Sequence, residues 1–208
     1  MPSIVKKALM AVTGLLWFGF LITHVMGNSL LFLGPERFNA YPKHLEDLLG
    51  PLLYVAEASL LILLLLHIYA AVRVTSENKT ARPADYAKKR ETKGQSTFAS
   101  RTMIFGGLIL AVFLVLHIRY FKLGGWETHP LGLYGVVTDL FRWKRWVLFY
   151  LVAMVALGLH LSHGLASGLQ TLGVSKPAWR PKLRIAGLVI GWAITAAFMS
   201  MPIWGYLR

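Results

Sequence analysis

Five long apolar segments dominate this chain of 208 residues and restrict the folds it can adopt. They cover approximately residues 8–33, 51–72, 103–121, 146–169 and 185–204. Each is close to the roughly 20 residues that a helix needs to cross a hydrocarbon core. Lipid offers the backbone no hydrogen-bond partner, and the segments are too long for barrel strands, so each is predicted to be helical. The sequence therefore predicts an all-α integral membrane protein, with five transmembrane helices in a single membrane domain over residues 1–208.

The composition agrees with a membrane protein and excludes several kinds of site. Hydrophobic residues make up 56% of the chain and charged residues 15%, whereas a soluble domain carries about 25% charged residues. A net charge of +13 is also typical of nucleic-acid-binding proteins. The basic residues here lie between the apolar segments and not on one soluble face, so no nucleic-acid partner is predicted. Cysteine is absent, which excludes disulfides, thiolate metal sites and c-type haem attachment. The first apolar run continues to Leu33 without a small-residue cleavage site, so we interpret it as a retained helix and not as a signal peptide.

Lysine and arginine divide unequally between the two sides of the predicted bundle. Fourteen of the 22 fall on the side of the N-terminus, at Lys6, Lys7, Arg73, Lys79, Arg82, Lys88, Lys89, Arg90, Lys93, Arg101, Lys176, Arg180, Lys182 and Arg184. The positive-inside rule then predicts a cytoplasmic N-terminus. We name this the inner side and the opposite one the outer side. The longest polar loop, residues 75–100, is either an ordinary solvated loop or a docking surface for a soluble partner.

Four histidines, His24, His67, His117 and His160, each fall inside a different apolar segment. An ionisable side chain at membrane depth is costly and is a functional-site hypothesis by default. The separations are 43, 50 and 43 residues, and a glycine precedes both His24 and His117 by ten residues. The first two helices and the next two therefore resemble two copies of one hairpin.

The predicted topology sorts these histidines by depth. At 1.5 Å per residue from the predicted helix ends, His24 and His117 lie roughly 21–24 Å from the inner edge, and His67 and His160 roughly 8–14 Å. We name them the outer pair and the inner pair, with layers very roughly 10 Å apart. Two imidazoles at one level on facing helices are the arrangement that holds a b-type haem. The sequence thus predicts two haem b groups inside a bundle of the first four helices, with the fifth helix outside it.

Glycine is frequent in the predicted bundle. Seven glycines either make room for a macrocycle or allow close helix packing: Gly19, Gly27, Gly106, Gly107, Gly158, Gly164 and Gly168. For Gly187 and Gly191 in the fifth helix only the packing role is expected.

Three further histidines need separate interpretations. His163, one turn beyond His160, forms an interhelical hydrogen bond, contacts a haem propionate or substitutes as a ligand. His44 and His129 lie in loops, where we expect them to be solvated. A zinc or copper site is less attractive, because the histidine pairs lie in separate layers with no cysteine or carboxylate joining them.

A quinone site is predicted beside the outer pair. Glu36, Asn39 and Tyr41 follow the end of the first helix, where their polar and aromatic side chains either hold a quinone ring or simply form a structured turn. Glu57 lies inside the second predicted span. It is either a paired structural acid or a proton acceptor near that site.

The histidine series and three local motifs resemble the cytochrome b558 subunit of bacterial succinate dehydrogenase/fumarate reductase. The motifs are His-x-x-Gly-Asn from His24, Gly-Pro-Glu-x-Phe-Asn-x-Tyr from Gly34, and His-x-x-His-Gly…Gln-Thr-Leu-Gly from His160. The resemblance covers nearly the whole chain.

This resemblance implies a di-haem membrane anchor in the bacterial cytoplasmic membrane. Its partners would be a flavoprotein subunit and an iron–sulfur subunit on the cytoplasmic side, and quinone, usually menaquinone, in the membrane. His67 and His160 would hold the haem proximal to the soluble subunits, and His24 and His117 the distal one. The chain would act as the haem- and quinone-binding subunit of the enzyme, with the dicarboxylate chemistry and the catalytic residues on another chain.

Two other functions stay open at the level of sequence. A cytochrome b subunit of a hydrogenase or formate dehydrogenase would keep the haems and change the partner. A small transporter would use the histidines to bind protons or substrate. Transporters usually break their helices at a midplane site, whereas no predicted span here has a central proline.

Overall fold

A computed structural model describes residues 2–80 and 98–208 of the chain. Within these ranges the chain is helical, without a β-strand. Its α-helices there are α1 (Ser3–Ser29), α2 (Pro35–Leu49), α3 (Leu52–Thr80), α4 (Phe98–Phe121), α5 (Gly132–Phe141), α6 (Lys144–Thr171) and α7 (Arg180–Tyr206). Short 3₁₀ turns occupy Leu30–Leu33, Trp126–Thr128 and Pro177–Trp179. Most of the loop predicted to dock a partner falls on residues 81–97 and lies outside the described residues.

Five of these helices, α1, α3, α4, α6 and α7, are long and apolar enough to cross a membrane. The five predicted spans are therefore confirmed. The helices extend beyond the apolar runs, since α1 begins at Ser3 and α3 continues to Thr80. The added turns are polar, and they continue as helix because helical hydrogen bonds form equally well beyond the hydrocarbon core.

Two shorter helices, α2 and α5, pack together on the outer side and are missing from the predicted elements. The segment expected to be a turn, residues 35–41, forms the first half of α2. Gly34, with a φ of +94°, ends the preceding 3₁₀ turn. Pro35 then takes the first helical position, where its missing N–H costs nothing. The Gly-Pro pair that ends the first span thus also begins the next helix.

Ion pairs at the helix ends fix neighbouring spans as antiparallel. On the inner side, Lys6 near the start of α1 pairs with Glu77 near the end of α3. On the outer side, Glu57 near the start of α3 pairs with Lys122, just after α4, at 2.5 Å. Lys6 is almost fully buried, so its charge depends on Glu77 for a partner.

The centre of the packing is α6, the most buried of the five spans. Its buried side chains Ala153, Met154, Leu157 and Leu161 meet apolar residues of α1, α4 and α7. The last span, α7, packs mainly along α6 and lies outside the group formed by α1, α3, α4 and α6, as predicted.

The contact between α6 and α7 depends on glycine. A Cβ atom built on Gly191 would lie 3.0 Å from the backbone nitrogen of Ser162, and one on Gly187 would lie 3.2 Å from the Ser162 carbonyl oxygen. Small residues at such positions let two backbones approach closely in a membrane. These two glycines thus have the packing role expected of them.

We expect Gly191→Ala to lower the midpoint of thermal unfolding of the solubilised protein, because the new methyl group meets backbone that cannot rotate away. Overpacking of this kind costs about 1–3 kcal/mol. The matched control is Gly19→Ala on α1, where an added Cβ has no neighbour within 4 Å. The control is expected to be neutral or stabilising, because alanine is favoured over glycine in a helix by up to about 1 kcal/mol. Equal midpoints for the two variants would contradict this account of the α6–α7 contact.

Candidate functional site

The four span histidines meet in two pairs on the axis of the bundle. In the described chain α1 packs against α3 and α6, and α4 packs against α6 while touching α3 at few positions. The diagonal partners are therefore α1 with α4 and α3 with α6. His24 of α1 faces His117 of α4 with ring centres 5.8 Å apart. His67 of α3 faces His160 of α6 at 6.1 Å. The structure thus brings together the same pairs that depth alone predicts.

The two pairs form separate layers about 15 Å apart. On α1, Thr13 contacts His67 and lies eleven residues before His24. On α6, Tyr150 contacts His117 and lies ten residues before His160. At 1.5 Å per residue, both counts give about 15 Å. This exceeds the rough 10 Å expected from the sequence, because α1 begins at Ser3 and α4 at Phe98, each five residues before the predicted start, so the outer pair lies farther from the inner ends of its helices.

In the inner pair, one imidazole is oriented by the neighbouring helix. The Nδ1 atom of His67 lies 3.0 Å from the Met10 carbonyl oxygen and 3.1 Å from the Thr13 hydroxyl. That hydroxyl itself donates to the Leu9 carbonyl. A carbonyl can only accept, so Nδ1 carries the proton and donates to Met10, which leaves the Nε2 lone pair available. Gly14 admits the ring, since a Cβ there would lie 3.1 Å from His67 Cε1.

The second imidazole of the inner pair has an unsatisfied atom. The Nδ1 atom of His160 is buried and has no hydrogen-bond partner among the described residues. His160 also borders an apolar groove of about 440 Å³ between α4 and α6, which Gly106 and Ala156 help to line. Buried polar atoms are nearly always hydrogen-bonded in proteins, so this nitrogen is an exception within the part of the chain that the structure describes.

The outer pair lies among aromatic rings. Phe20 stacks on His24 with ring centres 5.0 Å apart, and Phe113 stacks on His117 at 5.4 Å. Phe198 of α7 approaches His24 at 5.9 Å. The phenol oxygen of Tyr150 lies 3.3 Å from His117 Nδ1, and this is the polar contact recorded for that ring.

In the described chain the span histidines come together in twos and not in a larger cluster. No three His, Asp or Glu side chains converge anywhere in residues 2–80 and 98–208 in a way that would hold a metal ion, whereas a structural zinc site needs four ligands. An imidazole nitrogen binds a metal at about 2.0–2.1 Å, and the ring centre lies roughly 1 Å behind it. Two imidazoles on opposite sides of one metal therefore have centres about 6 Å apart, close to the values for both pairs.

Of the four predicted quinone residues, Tyr41 packs directly on α1, the helix that carries His24 of the outer pair. Tyr41 of α2 packs over Gly27 of α1, where a Cβ would fall within 2.4 Å of the phenol ring. Together with Thr23, Met26 and Leu30 these residues line a cleft of about 300 Å³. Thr23 precedes His24 directly, so the cleft lies against the backbone of an outer-pair residue.

The other three predicted quinone residues are placed elsewhere. Asn39 ties α2 to α5: its amide nitrogen donates to the Leu131 carbonyl, and its oxygen accepts from the Tyr134 N–H, both at 2.9 Å. Glu57 is occupied by its ion pair with Lys122. Glu36 is exposed in the first turn of α2.

Two remaining histidines are also located. His163 is half-buried one turn from His160 on the inner side. His129, expected to be solvated, instead holds the start of α5. Its Nδ1 accepts from the Leu131 N–H at 3.1 Å, so Nε2 carries the proton and donates to Asp139 at 3.2 Å.

Several site residues are not identifiable from the sequence. Thr13 and Tyr150 contact the histidines, yet each belongs to a different helix from the ring it touches. Spacing along the helix is the signal that the sequence offers. Thr13 precedes His24 by eleven residues, which places it at the level of the inner pair. Tyr150 precedes His160 by ten residues, which places it at the level of the outer pair.

Comparisons of the chain with protein-family models, with curated proteins and with solved structures give no match. The likeness to the cytochrome b558 subunit therefore rests on the residues and motifs quoted above.

Proposed function

We propose that this chain is a di-haem cytochrome b membrane-anchor subunit of a succinate:quinone oxidoreductase, which passes electrons between an iron–sulfur subunit and membrane quinone. The observation that carries the proposal is the presence of two histidine pairs on the diagonals of one bundle, with ring centres 5.8 and 6.1 Å apart. A transporter is not favoured, because the histidines form two layers and not one midplane site.

The residues present fit two haem b groups. His24 and His117 would hold the outer haem, and His67 and His160 the inner one. The bond from His67 Nδ1 to the Met10 carbonyl fixes the ring and directs Nε2 away from α1, as ligating histidines require. The haems supply the one-electron steps between a partner on the inner side and quinone on the outer side, with the reverse flow in fumarate reduction.

The repeated glycine supports the same proposal. Ten residues of helix span about 15 Å, which equals the separation of the layers. The glycine that precedes each outer histidine by ten residues thus lies at the level of the inner pair. Gly14 touches the His67 ring there, and a Cβ on Gly107 would have no neighbour within 4 Å. The repeat therefore provides room beside the inner pair from two helices.

We expect the purified protein to contain two low-spin b-type haems, and each ligand substitution to remove one layer. His24→Leu should lose the outer haem and His160→Leu the inner haem, because each iron needs both imidazoles. Pyridine haemochrome analysis should fall from two haems per chain to about one in either variant.

His44→Leu is the matched control, since His44 is exposed on α2, and two haems are expected. His163→Leu should also retain two, because each pair is complete without His163. A wild-type protein purified from haem-replete cells without haem would refute the proposal.

A soluble partner on the inner side is supported by unbalanced charge. Glu77 is the acidic residue described on this side, and it is engaged by Lys6 and Arg73. The basic residues exposed on the same side are Lys7, Lys176, Arg180, Lys182 and Arg184. We assign this surface to docking of the iron–sulfur subunit, with the flavoprotein subunit bound to that subunit.

Replacing Lys176, Arg180, Lys182 and Arg184 by glutamate should release the soluble partner, because charge repulsion replaces attraction at the docking surface. Co-purification measured by flavin and iron–sulfur absorbance should be lost, with two haems retained. The control reverses Arg37 and Lys43 on the outer side. If only the control variant lost the partner, the docking surface would lie on the outer side and the assignment would be wrong. A co-purified partner containing nickel or molybdenum would instead identify a hydrogenase or formate dehydrogenase.

The cleft at the α1–α2 junction is the quinone site that we propose. The Tyr41 phenol can donate to a carbonyl oxygen of a quinone, whereas the Thr23 hydroxyl already donates to the Phe20 carbonyl at 2.9 Å. Thr23 and Met26 are exposed at membrane depth, so the cleft opens toward lipid, from which an isoprenoid quinone would enter. Menaquinone is the type that the resemblance implies.

Tyr41→Phe should reduce quinone turnover about three- to tenfold, since one net hydrogen bond is worth about 0.5–1.5 kcal/mol. Steady-state assays with a menaquinone analogue would measure this, with the haem spectrum unchanged. Tyr54→Phe is the control, because Tyr54 is an exposed tyrosine on the outer half of α3. If Tyr41→Phe turned over quinone at the wild-type rate, Tyr41 would not be part of the quinone site. Wild-type turnover in His24→Leu would move the site to the inner side.

A further inference from the structure

A tryptophan of α1 lies between the two histidine layers. Trp17 precedes His24 by seven residues and therefore falls on nearly the same face of the helix. It follows Thr13, the contact of His67, by four residues. Along the helix axis these steps place Trp17 about 10 Å from the level of His24 and about 6 Å from that of Thr13. Trp17 is thus nearer to the inner pair.

Its indole carries a donor that the described chain does not satisfy. The Nε1 atom of Trp17 is buried and has no acceptor in the described ranges. The ring contact recorded for it is Phe20, edge to face at 5.4 Å, and Phe20 in turn stacks on His24. Neither ring offers a carbonyl or carboxylate. A buried tryptophan N–H usually finds a partner, so this donor has a partner still to be identified.

Helix geometry favours an indole directed toward the inner layer. Long side chains in a helix lean back toward its N-terminus, which for α1 is the inner side. This preference directs the Trp17 indole toward the level of Thr13 and Gly14, where His67 meets α1.

We propose that the Trp17 indole N–H faces the haem held by His67 and His160 and raises its reduction potential relative to the haem held by His24 and His117. This inference rests on the proposed function. The positive end of the N–H dipole stabilises the additional electron of the reduced form, and hydrogen bonding around a haem is one of the means by which a protein sets its potential. Trp17 is in this sense a positioning and tuning residue, not a ligand.

The test is an optical redox titration of Trp17→Phe, which removes the N–H and keeps an aromatic ring. The midpoint of the inner haem should move to lower potential, while the chain keeps two haems. At a fixed potential the ratio of reduced to oxidised inner haem should fall by up to about tenfold, a shift of about 59 mV for a one-electron couple.

A matched control is available in α7. Trp192 is a second tryptophan at membrane depth, packed over Gly158, which precedes His160 by two residues and therefore lies on the opposite face of α6. Trp192→Phe makes the same chemical change there and should leave both midpoints unchanged. To assign the shifted component, Trp17→Phe is repeated in the His24→Leu background, which should keep the inner haem, and in the His160→Leu background, which should keep the outer one.

A shift confined to wild-type and His24→Leu backgrounds supports the proposal. Unchanged midpoints in Trp17→Phe, a shift of the outer haem alone, or an equal shift in Trp192→Phe would overturn it while leaving the di-haem function intact. A wild-type protein that binds no haem would instead refute the proposed function itself, and with it this inference.

Discussion

Hydrogen bonding of polar groups inside the membrane is the constraint on which this structure depends. Hydrocarbon cannot replace a missing partner, so polar side chains at depth need partners within the protein. Thr13 donates to the Leu9 carbonyl of its own helix, and His67 donates across to Met10. The α1–α3 contact is thus fixed by polar groups from within, and by the Lys6–Glu77 pair at its inner end. The position of His67 on the bundle axis follows from both.

The two sides of the bundle differ in how they are closed. On the outer side, α2 and α5 form a layer over the ends of the spans, joined by Asn39 and by the Phe38–Tyr134 contact. On the inner side the spans end among exposed basic residues. The outer surface is therefore formed by packed helices, and the inner surface by exposed basic side chains. The proposed soluble partner would dock on the charged side, and the proposed quinone would enter on the other side, where a cleft opens beside Thr23 and Tyr41.

The spacing of the histidines acquires a physical meaning once the layers are measured. The ten residues between each glycine and the following outer histidine correspond to about 15 Å of helix, the distance between the pairs. Each ten-residue segment therefore begins with a glycine at the level of the inner pair and ends on a histidine of the outer pair. In α1 the intervening residues Trp17 and Phe20 fill the gap between the layers with aromatic rings.

The sequence by itself determined the five spans, their alternation and the pairing of histidines, because hydrophobic length and distance along a helix are local properties. Tertiary structure alone decided what each polar group bonds to. Asn39 became a link to α5, 92 residues away, and Glu57 became the partner of Lys122, 65 residues away. The layer spacing likewise depended on where α1 and α4 begin. Such contacts join segments distant in the chain, so no local pattern encodes them, and only packing of the helices brings the groups together.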